Sequence, residues 1–196
     1  KYPVPRIQEA SDQLGGITFW STLDAFAGYN LIKIRKEDQY KTAFSCVLGH
    51  FECTRMMFGM CNSGAVFQRA MNAMLASTGW QYAMCYVDDI IVFSSTFEEH
   101  LMHLESVFKC CIDAGVTLKP QKCLFCADKV KYLGFILTKE GVHNDPDKVA
   151  AIVNMPAPRD LKSLRRFLSM IGHLRQFIYH FAHIAGPLTR LTSPNV

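Results

Sequence analysis

The chain has 196 residues, 49% of them hydrophobic and 19% charged, which excludes a disordered polyelectrolyte and allows one large domain or two small ones. No apolar run reaches the roughly 18–20 residues of a membrane-crossing helix, and no basic-then-apolar leader pattern opens the sequence as given. Basic residues outnumber acidic ones by 21 to 17, unevenly: residues 1–130 hold 12 basic and 13 acidic side chains, residues 131–196 hold nine and four. A basic final third suits contact with a polyanion, and a solvated basic face would give the same balance. Lys1 rather than Met comes first, so a piece of a longer product is expected.

In chain order, Pro5 to Leu14 predicts a short helix stopped by Gly15-Gly16, and Ile17 to Asp24 predicts a strand. Asn30 to Ile34 alternates like a strand, and Lys41 to Met57 predicts a hairpin about Leu48-Gly49-His50. Ser63 to Ser77 predicts a helix capped by Ser63, with Phe67, Met71, Met74 and Leu75 as its apolar stripe. Two short apolar strands, Tyr82 to Tyr86 and Ile90 to Phe93, enclose only Val87-Asp88-Asp89. Thr96 to Ala114 predicts a helix with Leu101, Leu104, Val107 and Phe108 inward and Gly115 as its stop. Strands follow near Lys122–Phe125 and Val130–Leu137, and from Asp145 the pattern is helical, broken at Pro156, Pro158 and Pro187. Without its inserted hairpin, the order over 17–137 is a split βαββαβ unit, an antiparallel sheet with two helices on one face. The class is α+β, with an all-helical lobe over 145–192.

Eight cysteines are present, and Cys123 and Cys126 have half the spacing of a zinc site. No second Cys pair or His pair completes it, so reduced core thiols are the expectation.

The strongest local signal is Tyr86-Val87-Asp88-Asp89 at the tip of an apolar hairpin. Two adjacent carboxylates repel each other and cost desolvation, which a divalent cation would offset; a solvated turn is the plainer account. Asp24 ends the strand that this topology places beside the acidic hairpin. Three carboxylates at one sheet edge suit two hard cations and a phosphoryl displacement.

A set of motifs runs along the chain in order. They are Tyr2-Pro3-Val4-Pro5-Arg6-Ile7, Ser21-Thr22-Leu23-Asp24 with Gly28-Tyr29, and Lys41-Thr42-Ala43-Phe44. Phe58-Gly59 with Phe67-Gln68-Arg69 and Tyr86-Val87-Asp88-Asp89 come next. Gly115 to Cys123, Tyr132-Leu133-Gly134 and Leu164-Arg165-Arg166-Phe167-Leu168 complete the set, which covers nearly the whole chain. The ordered set resembles the reverse transcriptases of gypsy-type long-terminal-repeat retrotransposons, a segment of a Pol polyprotein.

The resemblance implies a polymerase palm with partial fingers over 1–140, a helical thumb over 145–193, and RNA-directed DNA polymerase activity. It implies two Mg²⁺ ions, with Mn²⁺ as a substitute, on Asp24, Asp88, Asp89 and the carbonyl of Ala25. Ala27, Gly28, Tyr29, Phe58 and Gly59 would contact the deoxynucleoside triphosphate, Tyr29 rejecting ribonucleotides. Lys122, with Lys119 as rival, would protonate the leaving pyrophosphate. Gln68, Tyr86, Tyr132, Leu133 and Gly134 would contact an RNA or DNA template and its primer. Lys162, Arg165 and Arg166 share a helix face that suits duplex phosphates or a plain solvated surface.

Met57 and Gly64 stand where this family often has Pro, and Phe26 where it has a polar residue. The basic residues of the fingers would precede Lys1. The resemblance also implies a parent polyprotein with protease, RNase H and integrase, and an intracellular setting, a cytoplasmic virus-like particle or the nucleus, with no membrane. The alternative is a degenerate or co-opted palm–thumb module that binds RNA or duplex without activity.

Overall fold

A computed structural model of the chain describes residues 16–26 and 28–193. The helix expected over Pro5–Leu14 lies outside them. Among the described residues, one compact unit comprises residues 16–133 and 137–141 and a second comprises 134–136 and 142–193.

The first unit contains β1 (Phe19–Asp24), the hairpin β2 (Phe44–Cys46) and β3 (Gly49–Phe51), and helix α1 (Ser63–Met74). The hairpin β4 (Ala83–Tyr86) and β5 (Asp89–Ser94), helix α2 (Phe97–Ala114) and β6 (Leu124–Ala127) follow. Four of these strands form one antiparallel sheet in the order β4-β5-β1-β6, which is the split βαββαβ arrangement. Phe67 and Met71 of α1, with Leu75 just beyond it, and Leu104, Val107 and Cys111 of α2 pack with Leu23, Ala83, Cys85, Ile90 and Val92 of the sheet. Each large apolar side chain buried there is worth about 1.5–3 kcal/mol. Trp20, Ile91 and Phe93 on the sheet's other face are buried too. Burial on both faces explains why residues 90–93 form an unbroken apolar run rather than an alternation.

Strands β7 (Lys129–Tyr132), β8 (Phe135–Thr138) and β9 (Gly141–Asn144) form a three-stranded sheet in that order. The second unit is otherwise helical: α3 (Pro146–Val153), α4 (Leu161–His173) and α5 (Phe181–Arg190). Asp145 caps α3 through the Asp147 N–H, and Asp160 forms a capping box with Ser163 on α4.

Several expected elements are shifted. Asn30–Ile34 is not a strand: a 3-10 turn runs over Gly28–Leu31, and only Lys33 makes an isolated bridge, to Arg55. The hairpin expected over 41–57 is confined to 44–51, because Lys36–Thr42 coils into a 3-10 helix stabilised by a 2.6 Å Lys41–Asp38 pair. Ser63 does not cap α1: Asn62 is the cap residue and Ser63 Oγ donates to the Met57 carbonyl at 3.0 Å. On α2 the buried face is His100, Leu104, Val107 and Cys111, and Leu101, one position out of that phase, is 49% exposed. Thr96 and Gly115 bound α2 as expected, with a capping box and a left-handed stop. The strand expected over 130–137 is two strands, because Leu133 and Gly134 both adopt positive φ and form a two-residue hairpin turn. Pro187 lies inside α5 without ending it, since the carbonyl denied an N–H belongs to the exposed His183. All eight cysteines are free, but only Cys85 and Cys111 are buried, so the thiols are not a core set.

His100 is fully buried, and its two ring nitrogens lie 2.7 Å from Ser21 Oγ and 2.9 Å from Ser94 Oγ. Ser21 Oγ also accepts the Cys126 N–H at 3.0 Å, so one ring ties α2 to β1, β5 and β6. Burial, then the nearby His103, holds the His100 ring below its ordinary titration range. The fold therefore prefers the neutral ring, while the unfolded chain takes up a proton near pH 6.5. Stability contributed by this group is present above that pH and lost as pH falls through the depressed value, by up to about 1.4 kcal/mol per pH unit. Denaturant titrations at pH 7.5 and 5.5 should show the wild type losing more stability on acidification than His100→Gln. Equal losses would remove His100 as the cause.

Candidate active site

The site grows from the register of β1 against β5, which sets Asp24 opposite Asp89 where the buried run of β5 ends. The connection from β4 is shorter than the sequence suggests, because Asp89 belongs to β5 and the turn is Val87-Asp88 alone. Val87 has φ +55°, a conformation that costs a β-branched residue about 1–3 kcal/mol. The Ala25 N–H donates to the Asp88 carbonyl at 3.3 Å, and Phe26 N–H donates to Thr117 O at 2.7 Å, which fixes the chain just after Asp24.

The carboxylates crowd one another. Asp88 is held above the usual carboxylate range by burial first and then by the charges of Asp89 and Asp24. Burial and Asp24 push Asp89 up likewise. Lys122 opposes both shifts, and its ammonium sits 3.1 Å from Asp24 Oδ2. Of the two candidate lysines, Lys122 is therefore the one whose charge reaches the acidic cluster, whereas the Lys119 backbone N–H donates to the Asp24 carbonyl at 2.9 Å. Asp88 Oδ1 is buried and has no hydrogen-bond partner.

This donor set fits a divalent cation. Carboxylate oxygens are hard ligands, and the orphaned Oδ1 and the mutual repulsion are deficits that a cation corrects. Among the described residues, no group of three His, Cys, Asp or Glu side chains forms a ready-made metal cage. Cys123 Sγ donates to the Lys119 carbonyl at 3.3 Å.

One wall beside the acids is aromatic. Tyr29 packs edge-on against Phe58 at 4.8 Å and lies 5.2 Å from Phe67. Burial and the Asp88 charge raise the Tyr29 hydroxyl's pKa. Phe58 is 68% exposed, and Gly59 turns with φ +86°. Gly28 is buried, and a Cβ there would strike Asp88 Oδ1 and come 2.7 Å from Phe67 Cζ. Arg55 Nη1 donates to the carbonyls of Asn30 and Leu31 at 3.2 and 3.1 Å, holding the segment that carries Tyr29. Ala27 lies outside the described residues.

Two residues expected at the template or primer have buried side chains. Gln68 is fully buried: its Nε2 donates to Cys85 O and Asn72 Oδ1, both at 2.8 Å, and its Oε1 accepts the Val87 N–H at 2.7 Å. Its amide is spent on the acidic turn. Tyr132 is 7% exposed and its hydroxyl donates to the Asp89 carbonyl at 3.3 Å, so its side chain also braces the site from within. Tyr86 is exposed beside the turn. In the second unit, Lys162, Arg165 and Arg166 are exposed on α4 opposite the buried Leu164, and Arg165 Nη2 donates to the Thr192 carbonyl at 3.2 Å. The supporting roles of Arg55, Phe67 and Gln68 carry no local sequence signal, because their partners lie far along the chain.

Residues 1–137 match the family model described as reverse transcriptase (RNA-dependent DNA polymerase). The chain is 39% identical over 189 residues to the retrovirus-related Pol polyprotein from transposon gypsy of Drosophila melanogaster, covering 96% of this chain and 18% of that protein. It is 40% identical to the corresponding polyprotein from transposon 297 of the same fly, with the same coverage. Transposon Tf2-3 polyprotein of Schizosaccharomyces pombe is 31% identical across 100% of this chain and 15% of its own length. Among solved structures, the foamy viral protease-reverse transcriptase dRH in complex with double-stranded DNA superposes with TM-score 0.87 at 30% identity, covering 96% of this chain and 33% of that one. The foamy viral protease-reverse transcriptase in complex with an RNA/DNA hybrid gives 0.79 at 32% identity, over 89% of this chain and 24% of that one. The chain thus spans less than a fifth of the length of these curated relatives.

Proposed function

The chain belongs to the reverse transcriptase family, in its gypsy-type retrotransposon branch, and on that premise we propose that it is the palm, partial fingers and thumb of an RNA-directed DNA polymerase. The reaction joins the 3′-hydroxyl of a primer to the α-phosphorus of a deoxynucleoside triphosphate and releases pyrophosphate. The observation that carries the reading is the meeting of Asp24, Asp88 and Asp89 at one end of the inner strands β1 and β5, with Lys122 on Asp24 and Asp88 Oδ1 unpartnered.

Asp24, Asp88, Asp89 and the carbonyl of Ala25 would hold the divalent ions, two Mg²⁺ or Mn²⁺. Bound there, these supply a lowered pKa for the attacking hydroxyl and compensation of the charge on the phosphates. The chain's own groups do the rest. Gly28, whose missing Cβ makes room for Asp88 Oδ1 and Phe67, and Ala27 would bring their backbone to the triphosphate. Phe58 and Gly59 form the surface under base and sugar. Lys122 carries the proton that the leaving pyrophosphate takes up. The turn Leu133-Gly134 and the exposed Tyr86 face primer and template, and Lys162, Arg165 and Arg166 grip duplex phosphates without regard to sequence. The palm with partial fingers is assigned to 1–140 and the thumb to 145–193. The parent product is a Pol polyprotein that also carries protease, RNase H and integrase, in a virus-like particle or the nucleus. No helix among the described residues is long and apolar enough to cross a membrane.

Primer extension on an RNA template with Mg²⁺ and deoxynucleotides tests the reading, using this chain and a version extended upstream. Extension by either supports it, and failure of both with duplex binding intact overturns it in favour of a binding module. A second experiment addresses the sugar. With its ring fixed against Phe58 and Phe67, Tyr29 fills the space where a 2′-hydroxyl would sit. Tyr29→Ala should raise ribonucleotide over deoxynucleotide incorporation by at least about 10-fold, the scale on which a fitted pocket discriminates by size. Unchanged selectivity would withdraw Tyr29 as the discriminating residue.

A further inference from the structure

Val87 occupies a left-handed conformation that a β-branched residue does not choose, directly before Asp88 and Asp89. Such a turn persists only where its surroundings over-determine it. The surroundings here are the two-residue hairpin connection, with Tyr86 paired to Asp89, and one side chain. Gln68 Oε1 accepts the Val87 N–H at 2.7 Å, and Gln68 Nε2 donates at 2.8 Å to the carbonyl of Cys85 on the strand leading into the turn. The second Nε2 proton goes to Asn72 Oδ1, one helical turn along α1, at 2.8 Å. The amide orientation is therefore fixed: Val87 requires an acceptor, and Cys85 O and Asn72 Oδ1 require donors. Cys85 Sγ adds a 3.0 Å bond to the Val87 carbonyl. Gln68 has no exposed surface.

We infer that Gln68 is a positioning residue for the acidic turn: it holds Val87 left-handed and so aims the carboxylates of Asp88 and Asp89 at the cation and the reacting phosphate. The assignment rests on the nucleotidyl-transfer reading of the site. It explains why a long polar side chain is buried in the apolar face of α1, between Phe67 and Met71. It also distinguishes Gln68 from the residues that contact substrate, because its effect passes entirely through Val87 and Cys85.

Gln68→Met keeps the length and removes all three hydrogen bonds. The Val87 amide should then lose at least about 10-fold of its hydrogen-exchange protection. Affinity for Mn²⁺ alone, measured by calorimetry, should fall about 10-fold or more, the usual consequence of removing a group that orients metal ligands. In primer extension, kcat per folded molecule should fall about 100-fold, as for an ångström-scale misplacement, with KM for the deoxynucleotide within about threefold of wild type. A merely structural glutamine would lower the melting temperature and leave Mn²⁺ affinity and kcat per folded molecule unchanged, which would overturn the inference.

Val87→Gly supplies a second test that survives poor folding of the first variant, because glycine adopts φ +55° at little cost. Removing Gln68 should then destabilise the Val87→Gly variant less than it destabilises the wild type; strict additivity of the two changes would also overturn the inference. A wild-type chain that binds Mn²⁺ but extends no primer counts against the polymerase reading, and amide exchange, Mn²⁺ affinity and the coupling to position 87 still decide the role of Gln68.

Discussion

Changing Asp88 and Asp89 together to Asn should abolish primer extension and at the same time make the metal-free chain more stable. The loss should be at least about 10³-fold, because the metal-borne stabilisation of transition-state charge is worth several kcal/mol and about 1.4 kcal/mol is tenfold in rate. The gain comes from the same two groups. Both carboxyls sit in surroundings that disfavour their charge: burial is the first cause for each, and each also feels the charge of Asp24. A group whose folded-state pKa is raised contributes stability below its ordinary value and loses it as pH rises through the folded value. The wild-type fold therefore carries a penalty that grows as pH rises through the folded values. Asn removes the charge and keeps the shape. Removing the charge from the buried, partnerless Asp88 Oδ1 is worth on the order of 1 kcal/mol, and so about 2–4 °C in melting temperature for a chain of this size.

Millimolar Mg²⁺ or Mn²⁺ should raise the melting temperature of the wild type and leave the double variant unmoved, since only a ligand that binds the folded state stabilises it. Thermal denaturation with and without the ion, alongside the extension assay, checks all three parts. A double variant that is less stable than wild type without metal would mean that the acids are structural. An equal metal response in both proteins would place the cation elsewhere.

Gly28→Ala should be the most damaging single-methyl change near the site. Gly28 does not have a positive φ, so its backbone would accept alanine; what forbids the methyl is space. The added carbon would collide with Asp88 Oδ1 on one side and lie 2.7 Å from Phe67 Cζ on the other. Phe67 is 1% exposed and set among the core residues of α1, so it has no room to retreat. Asp88 must move instead, or the segment carrying Tyr29 must. Either displaces a group whose position decides the chemistry, and a shift of about 1 Å costs on the order of 100-fold in rate. Overpacking should also cost about 1–3 kcal/mol of stability.

Gly64→Ala is the control. The nearest atom to its methyl is Tyr29 Oη at 3.8 Å, an ordinary contact, and the position is helical. It should therefore keep activity and gain up to about 1 kcal/mol from helix propensity. Single-turnover extension and denaturant titration of the two variants side by side decide the matter. A Gly28→Ala protein as active as Gly64→Ala would show that the floor beside Asp88 is not a contact surface for the reaction.

What could be read in the sequence was whatever the chain encodes locally. Thr96 with Glu99, and Gly115, announced both ends of α2, because a capping box and a left-handed stop are made within one helical turn. The acidic pair was legible because two carboxylates between apolar strands are costly unless something compensates them. Asp24 was legible once the βαββαβ order paired its strand with the hairpin, and the register sets it opposite Asp89. The failures came where a local turn or a partner far along the chain outweighed the hydrophobic pattern. Lys41 and Thr42 coil where a strand was expected, Leu101 gives its inward place to His100, and Leu133-Gly134 divides one expected strand into two.

The sequence alone therefore determined the fold class, the ordered elements of the palm-like sheet and the identity of its acidic residues, since hydrophobic periodicity and turn chemistry act over a few residues. Only the tertiary structure decided what the buried polar groups do. Gln68 and Val87 lie 19 positions apart, and Tyr132 and Asp89 lie 43 apart. A glutamine or tyrosine in such a motif reads equally well as a hand for substrate or as a brace for the backbone. The choice is made by desolvation: a polar group that folding removes from water must spend its hydrogen bonds on whatever the fold brings beside it, and here that is the turn carrying the aspartates.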